Sequence, residues 1–355
     1  MPRRYDGDGA PRSDKAATGP GTLRSVALCV AFTIMLAASS MLGVETAQAQ
    51  SCAIGTGSGS SGNVAILSGA ADDSSSTFSV TCTGTANQTV RLCIDWGAGN
   101  SPDGSGNRLM YSSSNTMRFD FFTNSSYTTI WGSWGSSSLE AYTPYPIGVQ
   151  QDLALGSSGS NSVTLTVHGQ VYANQQSAPP GSYSWTSGGS PSLQYGYAAG
   201  TSCPVGSKTT SSSGSTWTAT VLADANVSVA SMNFGSKSSF ILANIQTTAV
   251  ITVQSTNTTP YSVGLDNGQN ASGSQRRMSG GGGNYVSYDL YTDAAYSHAW
   301  TSTTSTTSCT GGASTCALGT GSGSNQNVTV YGQVPPQTAP ATGTYSDIVV
   351  VTVTF

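Results

Sequence analysis

The sequence predicts an all-β protein built from two tandem copies of one β-sandwich. Three observations carry that reading. Apolar and polar residues alternate in short runs bounded by Gly, Ser, Asn or Pro, the pattern of half-buried strands. No run of helical period exceeds two turns. Segments of the first half recur, in order, in the second. The composition agrees: only 8% of the 355 residues are charged, and the abundance of Gly, Ser and Thr favours strands and turns over helices.

The first element is an export signal over residues 1–49. Arg3, Arg4, Arg12, Lys15 and Arg24 form a basic region, Ser25 to Gly43 an apolar stretch, and Ala47-Gln48-Ala49 a small-x-small cleavage site. An uncleaved membrane anchor is the alternative, because the apolar stretch is long for a signal. No second stretch of spanning length follows. Residues from position 50 onward carry 7 of the 12 basic and 12 of the 16 acidic side chains, a net charge of −5. Without a basic patch, nucleic acid is excluded as a partner. Six cysteines remain after the signal, an even number that points to disulfides in an exported chain. Six cysteines allow fifteen connectivities.

Strands are expected in the first copy at Thr77 to Val80, Val90 to Ile94, Met117 to Phe122 and Val163 to Val171. In the second copy they fall at Val250 to Val253, Tyr261 to Leu265, Tyr285 to Tyr291, Val328 to Val334 and Ile348 to Phe355. The repeat pairs "FSVTCTGT" with "ITVQSTNT", "VRLCIDWG" with "YSVGLDNG", "RLM" with "RRM" and "FDFFTN" with "YDLYTD". It also pairs Trp131 with Trp300, "VHGQV" with "VYGQV" and "GSYSW" with "GTYSD". Several short strands at such spacing form a sandwich.

The motifs "MNFGS", "GLDNG", "RRM", "YDLYTD", "VYGQVPP" and the terminal "GTYSDIVVVTVTF" resemble those of a spore coat protein U domain. The second copy matches over nearly its whole length, and the first is a divergent example. The family includes subunits of archaic chaperone–usher pili. The resemblance therefore implies two tandem immunoglobulin-like sandwiches, the C-terminal one lacking its last strand. It implies that this domain accepts a donor strand along Ile348, Val350, Thr352 and Phe355. It further implies a periplasmic pilus chaperone, an outer-membrane usher and a neighbouring pilin subunit as partners, with export through the periplasm to the cell surface. Cys52 follows the cleavage site almost at once, which leaves no apolar segment to donate and points to the pilus tip.

A donor-like segment lies inside the chain instead. In Thr216 to Leu222, Trp217, Ala219 and Val221 alternate with threonines. We read it as the strand that completes the first copy, with an interdomain linker as the alternative. The expected domains are residues 50–222 and 223–355. The family pattern implies a Cys52–Cys82 bridge. Cys309 and Cys316 enclose a Gly-rich loop and suit a local bridge, which leaves Cys93 with Cys203. Those last two pairings are not fixed by the sequence.

No enzyme motif is present, and no cofactor or metal is expected. His168 and His298 sit outside nucleophile motifs, and neither CxxC nor clustered His occurs. The repeated carboxylates Asp95 and Asp266, and Asp120 and Asp289, read as hydrogen bonders rather than an acid pair. Binding is the better prospect. Three first-copy segments expected to be loops carry Leu109, Met110, Tyr111, Trp134, Tyr142, Tyr145, Ile147 and Trp185 as an apolar, surface-binding set. The expected function is a pilus tip subunit for adhesion and biofilm formation on an abiotic or host surface. A lectin-like tip and a structural coat protein are the alternatives.

Overall fold

The computed structural model describes residues 49–99, 107–133, 148–187, 191–197, 202–203, 209–211, 214–338 and 341–355. The export signal falls outside them. Among the described residues no helix is long and apolar enough to cross a membrane. Among the described residues the structure is all-β, broken only by a short 3-10 turn at Ile66–Ser68.

The first half contains β1 (Ser51–Ile54), β2 (Gly59–Val64), β3 (Asp72–Thr83), β4 (Thr89–Asp95), β5 (Arg108–Ser112) and β6 (Asn115–Phe122). It continues with β7 (Val149–Ala154), β8 (Ser160–Val171), β9 (Gly181–Ser187), β10 (Ser192–Gly196), β11 (Thr209–Ser211) and β12 (Ser215–Val221). One sheet runs β1-β3-β8-β6-β5-β9-β12-β2, and the facing sheet β11-β10-β4-β7. The central pair β3–β8 is in register over twelve residues, Asp72 to Thr83. Phe78, Val80 and Cys82 point inward from β3, while the threonines and serines between them face solvent. Hydroxyl pairs such as Thr81–Ser162, at 2.7 Å, line that outer face.

The inner faces enclose an aromatic core. Phe121 packs against Trp96, Trp185 and Trp217, with ring centroids 4.4, 5.0 and 5.0 Å away. Arg108 is wholly buried there. It donates to the carbonyls of Gly97, Trp96 and Trp131 and pairs with Asp120 at 2.8 Å. A buried ion pair of this kind persists because its donors are satisfied.

The second half contains β13 (Ala225–Val229), β14 (Phe240–Ile241), β15 (Ile245–Ser255), β16 (Pro260–Leu265), β17 (Arg277–Gly281), β18 (Asn284–Ser287) and β19 (Asp289–Tyr291). It ends with β20 (Thr303–Ser305), β21 (Ser308–Cys309), β22 (Ala317–Thr320), β23 (Asn325–Val334), β24 (Gln337–Thr338) and β25 (Val351–Thr354). Its main sheets are β13-β15-β23-β19 and β22-β16-β25. The internal frame of the first half returns. Arg276, also buried, donates to the carbonyls of Asp266, Leu265 and Trp300. The indole N–H of Trp131 donates to Ile94 O, and that of Trp300 to Val263 O.

Three disulfides join Cys52 to Cys82, Cys93 to Cys203 and Cys309 to Cys316. Cys52 faces Cys82 across β1–β3, whereas Ala225 faces Ser255 at the matching place of the second half.

Two of the three segments expected as loops are strands. Residues 106–115 supply β5 and the start of β6, and residues 184–197 supply much of β9 and all of β10. The alternation of Arg108, Leu109, Met110 and Tyr111 is a strand pattern, with Arg108 and Met110 inward.

Candidate functional site

The two halves differ along one edge. In the first, β12 inserts between β9 and β2. It pairs antiparallel with β9 over seven residues, Ser215 opposite Ser187 through Val221 opposite Gly181, and parallel with β2. The alternation of β12 drives this placement. Trp217, Ala219 and Val221 are at most 2% exposed, while Thr216 and Thr218 face solvent. Burying the indole, at about 1.5–3 kcal/mol for a large apolar side chain, anchors the strand.

In the second half the matching place is a cavity of about 370 Å³. One wall is Val229 to Met232 with Phe234, and the other is Tyr345 to Val349 with Val351. Ile251, Leu265, Leu290 and Val330 form the floor. Among the described residues, the backbone of the wall at 345–350 is held from one side only. Ser346 exchanges backbone hydrogen bonds with Ser279, Val350 N donates to Asp266 Oδ1 at 2.9 Å, and β25 pairs with β16. Where β10 has β11 beside it, β25 is a sheet edge. Among the described residues, each large apolar side chain more than a third exposed lies between Leu222 and Phe355, Ile348 and Val350 included.

Polar groups brace one end of the cavity. Tyr288 donates to Asp347 Oδ2 at 2.8 Å, and Asn270 donates to Asp347 Oδ1 through its backbone and side-chain N–H groups. Burial, and then the bond to Asp347, push the Tyr288 phenol far above its ordinary value. Burial likewise raises the Asp289 carboxyl, against the opposing charge of Arg276. Tyr288 and Asn270 thereby fix the wall at Asp347. Among the described residues no three His, Cys, Asp or Glu side chains gather to hold a metal.

The residues singled out from the sequence are not all where expected. Ile348, Val350 and Phe355 are exposed by 61%, 51% and 46%, and Thr352 is exposed too. The side chains that pack on the core are instead Val349, Val351 and Val353. Ile348, Val350 and Thr352 thus lie on the face of the strand turned away from the core, between the inward valines. Of the surface-binding set, Met110 and Trp185 are core residues at 0% and 2% exposure. Both lie on inward positions of strands, Met110 on β5 and Trp185 on β9 against Trp96. Leu109 and Tyr111 are half-buried on β5. Trp134, Tyr142, Tyr145 and Ile147 fall outside the described residues. Sequence reasoning missed Met232 and Phe234 as walls of the cavity. Their i, i+2 spacing within "SMNFGS" was the available signal.

The sequence pattern of the Spore Coat Protein U domain matches the chain twice, over residues 38–187 and 199–352. The second match includes β12, which pairs within the first sandwich. Among solved structures, the chain is similar to the CsuC–CsuE chaperone–tip adhesion subunit pre-assembly complex of the archaic chaperone–usher Csu pili of Acinetobacter baumannii. The identity is 19% and the TM-score 0.50, over 86% of this chain and 100% of that one. The CupB6 tip adhesin of Pseudomonas aeruginosa aligns at 11% identity and a TM-score of 0.34, over 86% and 93%. The first likeness is one of fold. No curated protein sequence matches the chain.

Proposed function

We propose, on the premise that the chain belongs to the spore coat protein U domain family, that it is an adhesive subunit at the tip of a chaperone–usher pilus. Its C-terminal sandwich, residues 223–355, accepts a strand from the neighbouring subunit. A periplasmic chaperone fills the same groove until an outer-membrane usher exchanges it. The N-terminal sandwich, residues 50–222, carries the surface-binding loops, and the assembled protein stands on the cell surface. The observation that carries this reading is the cavity beside Tyr345 to Val351, open where β12 completes the first sandwich. Strand addition suits it, since main-chain pairing supplies affinity and alternate side chains fill the cavity. The use of β12 inside its own sandwich supports a terminal place in the fibre, because that segment is not free to be extended to another subunit.

Produced in the periplasm without a chaperone, the protein is expected to aggregate or be degraded. A peptide with alternating apolar residues, supplied in trans, should rescue it. A stable, soluble monomer indifferent to every such peptide would refute the strand-accepting reading.

The binding set that remains is Leu109, Tyr111, Trp134, Tyr142, Tyr145 and Ile147. Replacing Trp134, Tyr145 and Ile147 together with Ser should abolish attachment to an apolar surface while fibres still assemble. Undiminished attachment by folded mutant fibres would remove these residues from the site, and competition by a free sugar would mark a lectin.

A further inference from the structure

The hollow that Trp217 fills in the first sandwich has a counterpart in the second, and there the chain fills it differently. Strand register aligns the two. Cys52 faces Cys82, and Ala225 faces Ser255, which stands in the second repeat where Cys82 stands in the first. Counting onward by equal steps, Gly59 corresponds to Met232 and Ser61 to Phe234.

In the first sandwich these small residues make room for the indole. A Cβ on Gly59 would lie 2.5 Å from the Trp217 ring, and one on Gly169 would lie 2.6 Å from it. Ser61 Oγ accepts from Trp217 Nε1 at 3.3 Å. Gly169 pairs with Phe121 in the sheet, as Gly332 pairs with Leu290 in the second half. A Cβ on Gly332, however, would run into Met232 Sδ and Phe234 Cζ. One sandwich combines small residues on β2 with a large completing residue. The other has large side chains on its own wall.

We propose that the groove of the second sandwich selects a donor strand with a small side chain at the position Trp217 holds in β12, and so rejects the β12 of another copy of this chain. The inference rests on the strand-accepting reading above and names the kind of strand accepted. An indole forced against Met232 and Phe234 overpacks the hollow, whereas a residue the size of Val or Ala leaves both side chains in place. Copies of the chain are thereby kept from capping one another by exchange of β12, the usual hazard for proteins with an open edge.

The test uses the full chain and two fluorescent peptides covering Thr209 to Leu222, one native and one with Trp217→Val, with anisotropy as the readout. On the wild-type chain the native peptide is expected to bind about tenfold more weakly than the Val peptide. On a chain carrying Met232→Ala and Phe234→Ala the order should reverse, which also assigns the binding to the second sandwich. Equal affinities on the wild-type chain, or native peptide binding more tightly there, would overturn size selection while leaving strand acceptance intact. If neither peptide bound either chain, strand acceptance itself would fall, and this inference with it.

Discussion

The first sandwich buries Trp217, Ala219 and Val221 of β12 to within 2% of full burial, while the second leaves Val229, Ile348 and Val350 about half exposed along the matching edge. Both share the buried arginine clamp, the tryptophan anchored to a strand carbonyl and the long central strand pair. What separates them along this edge is one strand. The contrast shows that completion is not a property of the sandwich frame. It depends on whether a short amphipathic segment, local in the chain, reaches the open edge. An antiparallel sheet can form its central ladder without that segment, but it cannot close its apolar face without it.

The largest expected effect breaks the complete half. Trp217→Ala removes an indole packed on Phe121 and on the bare backbone of Gly59 and Gly169. A loss of about 3–5 kcal/mol is expected for the first sandwich, as for other buried tryptophans. Denaturant unfolding followed by the fluorescence of the remaining tryptophans should show the transition of the first sandwich moving to lower denaturant, with that of the second sandwich unchanged. An unmoved midpoint would reduce β12 to a linker.

The smallest effect sharpens the comparison at the turn before each shared tryptophan. Asn124 Oδ1 accepts from Thr128 N and Thr129 N in the first half, and Asp293 accepts from Ser297 N and His298 N in the second. Desolvation alone would raise the Asp293 carboxyl. The bonds from His298 N–H, the Ser297 hydroxyl and Ser297 N–H outweigh it and bring the value down to about 2. A carboxyl depressed in the folded state stabilises its turn above the unfolded value, near 3.8, and loses that contribution as pH falls toward 2. Amide exchange at Ser297 and His298 should therefore accelerate between about pH 4 and 2 relative to the general trend, while Thr128 and Thr129 keep theirs. Equal behaviour of the two turns would show that the charge contributes nothing there.

The central strands were legible because their alternation is strict. Thr77 to Val80 and Val163 to Val171 lie within β3 and β8, and Val250 to Val253 and Val328 to Val334 within β15 and β23. The run Tyr285 to Tyr291 reads as one strand but breaks at Tyr288, whose hydroxyl is drawn to Asp347. The parity of Ile348 to Phe355 was not legible. Every residue there is apolar or β-branched, so period-2 alternation has no phase to read. The Gly, Ser and Asn that flank Met110 and Trp185 point to loops. In a Ser- and Gly-rich chain, however, those residue types also make up the solvent faces of strands, as Ser182 and Ser184 do on β9. The i, i+2 spacing of Met232 and Phe234 marks them as sharing one face, but that this face walls a cavity depends on long-range placement.

The pairing of β12 also has a mechanical consequence. Tension from the second sandwich would enter the first through Leu222 to Asp224, and the component along β12 would pull that strand along its own axis. Its ladders with β9 and β2 run parallel to that pull. They are loaded in shear, so the hydrogen bonds must break together rather than unzip one by one. Should they yield, the chain pays out back to Cys203, which is bonded to Cys93 on β4. The bridge limits the slack to about 19 residues, or roughly 65 Å at full extension. A cell tethered through this protein would then hang from a short, self-arresting leash.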